Sequence, residues 1–121
     1  MSRILAVDDQ EDNRRILRDL LTSAGYQVIE ATTGEEAVAS AEAHMPDLIL
    51  MDIQLPGIDG YEATRRIKAK PALRAIPLIV VTSYALSGDE TKALAAGADA
   101  YVSKPFSPRA LLAKVREYLP S

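Results

Sequence analysis

The sequence of 121 residues contains no cysteine, which excludes disulfides, thiolate metal sites and cysteine nucleophiles. Aromatic residues make up only 5% of the chain against 48% hydrophobic residues, so we expect a core of aliphatic side chains. The net charge of −3 and an isoelectric point near 5.1 argue against nucleic-acid binding, because that activity usually needs a basic face.

No apolar run approaches the ~20 residues of a membrane span, so we expect no membrane partner. The N-terminus leads directly into a strand-like run without the regions of a secretory signal, which favours a cytoplasmic protein. The length suits one domain with a single core, and we expect residues 1–121 to form it without an attached output domain. The one histidine, His44, is expected at the surface, at the opposite end of a strand from the acidic residues described below, without a catalytic role.

Short apolar runs alternate with helical patterns along the whole chain. The apolar runs predict five buried strands: Ile4–Val7, Val28–Ala31, Leu48–Met51, Leu78–Val81 and Ala100–Val102. The helical patterns predict five helices: Asp12–Ala24, Gly34–Ala43, Asp59–Ala69, Ser87–Ala96 and Pro108–Leu119. The first helix is predicted to turn one face inward, formed by Ile16, Leu17, Leu20, Leu21 and Ala24. This alternation indicates βαβ units, a parallel sheet and helices on both of its faces.

Three aspartates lie where two of the predicted strands end. Asp8 and Asp9 follow the first run, and Asp52 follows the third. Ligands of open α/β sheets bind at the carboxyl ends of the strands. Three carboxylates repel one another unless a cation joins them, and a hard divalent ion such as Mg²⁺ prefers oxygen ligands. Asp9 is the candidate direct ligand, with Asp8 acting directly or through water; the alternative is that the pair only favours the start of the next helix through its dipole.

Asp52 is the candidate phosphoryl acceptor, because a carboxylate can act as a nucleophile and form an acyl phosphate. Such a transfer needs cationic groups near the phosphoryl oxygens, and Lys104 after the last strand is one candidate. Thr82 and Ser83 end the fourth strand with hydroxyls that could donate to the same oxygens. The alternatives are ordinary structural roles: a strand-end cap for Asp52, the closing residue of a strand for Thr82, and an exposed loop position for Lys104.

Four ordered segments resemble the receiver domain of bacterial two-component response regulators, and the resemblance covers the whole chain. They are Ile4–Asp9, Leu48–Gly60, Ile79–Ser83 and Ala96–Phe106. The resemblance implies a flavodoxin-like (βα)5 fold, which is a doubly wound α/β fold whose five parallel strands have the order 2-1-3-4-5.

The resemblance also implies a role for each site residue. Asp52 matches the phosphorylated aspartate, and Mg²⁺ would be bound by Asp8, Asp9, Asp52 and the backbone carbonyl of Gln54. Gly60 matches a position in the turn before the third helix.

Later positions match the switch of the same family. Thr82 matches the switch hydroxyl, Lys104 the lysine that contacts the phosphoryl group, and both would assist the transfer. Tyr101 matches the switch aromatic, although the sequence alone is equally consistent with a plain core residue. The Lys104–Pro105 bond matches a peptide that is typically cis, and a large Tyr84 is hypothesised to shield the acyl phosphate from water.

The implied function is a phosphorylation-dependent signalling switch, which is not an enzyme beyond its own phosphoryl transfer and dephosphorylation. Its donor would be a histidine kinase or a histidine phosphotransfer protein, and its output a protein contact through the fourth helix, fifth strand and fifth helix. A haloacid-dehalogenase-type phosphatase would need a second acid where Gln54 stands. A receiver-like binding module without phosphoryl transfer usually lacks one of the acidic or lysine positions. A flavodoxin-type cofactor domain would need a Ser/Thr/Gly-rich phosphate loop after the first strand.

Overall fold

The computed structural model of the chain describes residues 2–82, 89–104 and 107–119. The predictions for Ser83, Tyr84 and the Lys104–Pro105 bond fall on positions outside these ranges, as does the predicted start of the fourth helix. The strands are β1 (Arg3–Val7), β2 (Gln27–Ala31), β3 (Leu48–Met51), β4 (Leu78–Thr82) and β5 (Ala100–Ser103). The helices are α1 (Glu11–Ser23), α2 (Gly34–His44), α3 (Gly60–Ala69), α4 (Asp89–Ala95) and α5 (Pro108–Tyr118).

The five strands form one parallel sheet in the order β2-β1-β3-β4-β5, which confirms the predicted topology. Val7 at the end of β1 pairs with Ala31 on one side and with Met51 on the other. Met51 in turn pairs with Val80, two residues before the end of β4. The carboxyl ends of the central strands therefore meet at one edge of the sheet.

Aliphatic side chains fill the space on both faces of the sheet, as the composition predicts. On one face, helices α2, α3 and α4 bury small or branched residues: Ala37, Ala41, Ala63, Ile67 and Ala93. On the other face, helices α1 and α5 bury Leu17, Leu21, Leu111 and Val115. The alanines allow helices to approach the sheet closely, and each buried branched side chain stabilises the fold by about 1.5–3 kcal/mol.

The prediction that Ile16 faces inward is wrong, since its side chain is 55% exposed. Successive residues of an α-helix are rotated by about 100°. The buried stripe of α1 runs through Leu17 and Leu21, which leaves Ile16 on the flank of the helix.

Local signals in the sequence account for several helix ends. Gly25 has a φ of +96° and follows Ala24, the C-cap of α1, which confirms that a glycine ends this helix. The hydroxyl of Ser107 accepts a hydrogen bond from the amide of Ala110, and Pro108 is the first residue of α5, as predicted. Asp59 caps α3 through its carboxylate, so the helix begins at Gly60 instead of Asp59. Within the described ranges, no helix combines the length and the apolar character needed to cross a bilayer.

Candidate functional site

The acidic residues lie just beyond the ends of the two central strands. The amide of Asp8 donates to the carbonyl of Ala31 at 3.1 Å, and the amide of Asp52 donates to the carbonyl of Val7 at 3.0 Å. These two hydrogen bonds continue the sheet by one residue and hold both backbones side by side. Oxygen atoms of Asp8, Asp9 and Asp52 lie within 4.8 Å of one another. The structure therefore brings together the three carboxylates that the sequence predicted to converge.

The neighbouring aspartates Asp8 and Asp9 have opposite environments. The side chain of Asp8 is buried, whereas Asp9 is exposed. One oxygen of Asp8 accepts hydrogen bonds from the amide of Gln10 at 2.9 Å and from the side-chain amide of Asn13 at 3.5 Å. Its other oxygen faces Lys104. Asp8 is thus held in place by the protein, while Asp9 opens toward solvent.

Lys104 joins two of the carboxylates. Its ammonium lies 2.9 Å from Asp8 Oδ2 and 3.6 Å from Asp52 Oδ2. The backbone fixes this position, because the amide of Lys104 donates to the carbonyl of Thr82 at 2.6 Å, directly after the last pairing of β4 with β5. The lysine side chain is only 16% exposed, so solvent screens these two ion pairs weakly. Lys104 is therefore not the exposed loop residue of the alternative interpretation.

The surroundings of Asp52 perturb the protonation of its carboxyl group. Burial raises the pKa of Asp52 from 3.8 to about 6; Lys104 opposes this rise, and the negative charge of Asp8 adds to it. One oxygen of Asp52 accepts a hydrogen bond from the amide of Ile53 at 2.8 Å, which favours the ionised form. Around neutral pH this carboxylate is mostly ionised and poorly solvated, which are the properties of a nucleophile at a protected site.

Thr82 and Tyr101 lie on the same side of the sheet. Thr82 ends β4 and is fully buried. Tyr101 pairs with Val80, two residues before Thr82, and it packs as a half-buried ring against the core that α2, α3 and α4 cover. The two side chains are therefore diagonal neighbours across adjacent strands. Gln54 lies in the exposed loop after β3, two residues beyond Asp52.

Two residues shape this edge of the sheet through contacts that the sequence did not predict. Arg14 in α1 donates from its guanidinium to the carbonyl of Asp8 at 2.8 Å. Gly60 starts α3 against the backbone of Asp52, where a Cβ atom would lie 2.0 Å from the Asp52 carbonyl oxygen. The prediction that Gly60 lies in the turn before the third helix is wrong, because Gly60 is the first residue of α3. Its close contact comes from packing between segments. The sequence offered one sign that Arg14 could reach this site: it is a positively charged residue about one turn into the helix that follows Asp8 and Asp9.

The donor set fits a hard divalent cation. When all three aspartates are ionised, their carboxylates and the ammonium of Lys104 together carry a net charge of −2. The carboxylate oxygens lie within 4.8 Å of one another, so this charge is concentrated in a small volume. Oxygen-rich sites of this kind suit Mg²⁺, which is commonly bound by a few carboxylates together with water.

Comparisons with known proteins agree with this geometry. The sequence model of the family described as "Response regulator receiver domain" matches residues 4–116. The polar-differentiation response regulator DivK of Brucella ovis is 43% identical over 116 residues, which cover 96% of this chain and 94% of that protein.

Solved structures share the whole architecture. A protein from Chloroflexus aurantiacus, described as a "putative response regulator", superposes with a TM-score of 0.94 at 33% identity, covering 99% of this chain and 98% of the other. The receiver domain of a sensor histidine kinase from Pseudomonas aeruginosa superposes with a TM-score of 0.92 at 40% identity, over 99% and 98% of the two chains. That domain was solved with a magnesium ion coordinated in its active-site cleft. Sequence, fold and site together place this chain in the receiver-domain family of two-component response regulators, whose role is signalling rather than metabolic catalysis.

Proposed function

We propose that Asp52 accepts a phosphoryl group from the phosphohistidine of a histidine kinase or a histidine phosphotransfer protein. The observation that carries this proposal is the position of Lys104, whose ammonium lies 3.6 Å from Asp52 and 2.9 Å from Asp8. A cation there neutralises the charge that grows on the transferring oxygens, and it does so in a buried site where electrostatic interactions are strong.

The proposed transfer is a displacement at phosphorus. A carboxylate oxygen of Asp52 attacks the phosphorus atom and forms an acyl phosphate. The P–N bond of the donor breaks, its electron pair returns to the imidazole nitrogen, and the donor histidine leaves. Because Asp52 is only 8% exposed, few water molecules compete with it for the phosphorus atom. The protein thus takes part only in its own phosphoryl transfer and dephosphorylation.

We propose Mg²⁺ as the cofactor, with Asp8, Asp9, Asp52 and the backbone carbonyl of Gln54 as its protein ligands. When bound, the ion would supply positive charge to the phosphoryl oxygens and relieve the repulsion among the carboxylates. The exposed Asp9 is the natural direct ligand. Asp8, already hydrogen-bonded by the amides of Gln10 and Asn13, would bind directly or through water.

The proposed switch begins with the charge of the acyl phosphate. Its dianion attracts the ammonium of Lys104 away from Asp8 and accepts a hydrogen bond from the hydroxyl of Thr82. Movement of the buried Thr82 changes the space next to Tyr101, its diagonal neighbour on the same face. The face formed by α4, β5 and α5 changes with it, and we propose that a downstream protein target binds there. The cytoplasmic location and the extent of the domain over residues 1–121 remain predictions.

Intact-mass measurement after incubation with acetyl phosphate and Mg²⁺ tests the proposal. The parent protein is expected to gain one phosphoryl group, and Asp52→Asn none. Asp12→Asn, which changes an exposed carboxylate in the first turn of α1, is the matched control and should label like the parent. An unlabelled parent, or equal labelling of the parent and Asp52→Asn, would contradict the proposal; the first result would favour a binding module without phosphoryl transfer.

A further inference from the structure

The guanidinium of Arg14 reaches from α1 to the backbone of the acidic pair. It donates from one terminal nitrogen to the carbonyl oxygen of Asp8 at 2.8 Å. The side chain is only 11% exposed, although it carries a full charge. Burying a guanidinium is costly unless its charge and its donors find partners. Arg14 meets this condition through three acceptors on three different segments of the chain.

The hydrogen bond from Arg14 to the Asp8 carbonyl lies just beyond the last residue pair of the sheet at the end of β1. Pairing of β1 with β2 ends at Val7 and Ala31, and the Asp8 amide makes one more bond to Ala31. The carbonyl of Asp8 belongs to the next peptide, which joins Asp8 to Asp9. Holding the plane of that peptide restrains ψ of Asp8 and φ of Asp9, the two dihedrals that flank it, and so limits the directions in which both side chains leave the backbone. Arg14 therefore acts on both carboxylates without touching either one.

Arg14 is itself held by carboxylates of the scaffold. Its Nε donates to Glu30 Oε1 in β2 at 3.2 Å, and its second terminal nitrogen pairs with Glu11 at the start of α1. The planar guanidinium presents five donors in a fixed arrangement, so these contacts also orient the donor aimed at Asp8. A lysine has one compact ammonium and cannot reproduce this fork.

We propose that Arg14 is a positioning residue for the Mg²⁺ site, which aligns Asp8 and Asp9 through the Asp8 carbonyl. This inference rests on the proposed function, since it concerns the same metal site. Partners around metal ligands commonly change metal affinity by about 10–100-fold when they are removed. Arg14 is therefore a determinant of Mg²⁺ affinity as well as of stability.

The chain offers a matched control in Arg18, one helical turn further along α1. Arg18 also pairs with Glu30, at 2.8 Å, and it too approaches Glu11. No hydrogen bond from Arg18 to the Asp8 backbone occurs in the described part of the chain. A role limited to clamping α1 against β2 would be shared by both arginines, whereas a role in the metal site belongs to Arg14 alone.

Calorimetric Mg²⁺ titrations of the full chain test the proposal, on the parent, Arg14→Lys, Arg14→Gln and Arg18→Gln. Both Arg14 variants should bind Mg²⁺ about tenfold more weakly, and Arg18→Gln should bind like the parent. In acetyl phosphate labelling, the Arg14 variants should need more Mg²⁺ for half-maximal rate and reach the parental maximum at saturation. Circular dichroism checks that each variant is folded at the temperature of the titration.

The outcomes separate this inference from the proposed function. Arg14 variants that lose thermal stability but keep the parental Mg²⁺ affinity would overturn the positioning role and leave the proposed function intact. Equal weakening in Arg14→Gln and Arg18→Gln would overturn it as well, because the effect would then come from the contact with Glu30 that both arginines share. A parent that binds no Mg²⁺ would overturn both proposals.

Discussion

The ammonium of Lys104 donates a hydrogen bond of 2.9 Å to Asp8, a carboxylate that is only 1% exposed. The same nitrogen is 0.7 Å farther from Asp52, at 3.6 Å. In this state the lysine therefore serves mainly as the counter-ion of a proposed metal ligand. It can move toward the phosphoryl acceptor when negative charge accumulates there. The two tasks compete, which makes Lys104 the most informative position to change.

Replacing Lys104 by alanine should change metal binding and phosphoryl transfer in opposite directions. Loss of the neighbouring positive charge should strengthen Mg²⁺ binding about tenfold, because Lys104 is the cation that pairs with Asp8 and Asp52 among the described residues. Labelling by acetyl phosphate should slow by about a hundredfold, because one preorganised charge on the transferring oxygens is gone. Calorimetry and the rate of labelling measure the two effects. Lys114→Ala on α5 is the control, and a fall in both quantities for Lys104→Ala would contradict this account.

Asp52→Asn should stabilise the metal-free protein at pH values above neutrality. Burial raises the pKa of Asp52 from 3.8 to about 6, so the folded state binds a proton more readily than the unfolded chain. The stability linked to this group is complete below about pH 4 and is lost as the pH rises through about 6. Above that pH the ionised carboxylate lowers the free energy of unfolding by about 3 kcal/mol, and the neutral asparagine side chain of the variant avoids this loss.

Urea unfolding in EDTA at a series of pH values measures this difference. Near pH 8, Asp52→Asn should have a higher free energy of unfolding than the parent. This difference should decrease as the pH falls toward 4. Added Mg²⁺ should stabilise the parent much more than the variant, because the variant lacks one of the three carboxylates. A stability difference between Asp52→Asn and the parent that does not depend on pH would show that the burial of Asp52 does not control its protonation.

Gly60→Ala should destabilise the fold at the phosphoryl acceptor itself. The added Cβ would lie 2.0 Å from the Asp52 carbonyl oxygen and 2.7 Å from the Cα atom of Ile53, so the backbone must move. We expect a loss of about 3 kcal/mol or more in urea unfolding. Gly25→Ala has open space around its Cβ but a φ of +96°, and it should lose only about 1–2 kcal/mol. A smaller loss at Gly60 than at Gly25 would contradict the close packing of α3 against Asp52.

Thr82→Val should separate phosphorylation from the response of Tyr101. Valine keeps the shape of the buried side chain and removes the hydroxyl that would donate to the phosphoryl group. Asp52 should still be labelled by acetyl phosphate, whereas the shift of the Tyr101 ring signals in NMR spectra on labelling should be lost. Thr82→Ser keeps the hydroxyl and should retain that shift. An unchanged Tyr101 response in Thr82→Val would show that the hydroxyl is not the link.

The strand ends could be predicted from sequence because each one is marked locally. The apolar runs stop at Val7 and Met51, and the acids follow at once; in a parallel sheet this is enough to bring Asp8 and Asp52 together. Lys104 was predicted for the same reason, one residue after β5.

Packing between distant segments could not be predicted in this way. The adjacency of Asp8 and Asp9 indicates that they differ in direction, but contacts with distant segments decide that Asp8 is the buried one, since its side chain meets Asn13 of α1 and Lys104. Arg14 and Gly60 each act through a backbone carbonyl on another segment, and no local pattern marks such a contact. The error at Ile16 has a related cause, since the apolar pattern of α1 is wider than the stripe that the sheet covers.

The most direct test of the central claim is to locate the phosphoryl group. The protein is labelled with acetyl phosphate and Mg²⁺, and borohydride then reduces the acyl phosphate so that the modified aspartate becomes homoserine. Peptide mass spectrometry identifies its position, with Asp8 and Asp9 as internal comparisons. The account predicts homoserine at residue 52, and none there when Mg²⁺ is omitted. Homoserine at residue 8 or 9, or labelling that persists in Asp52→Asn, would contradict it.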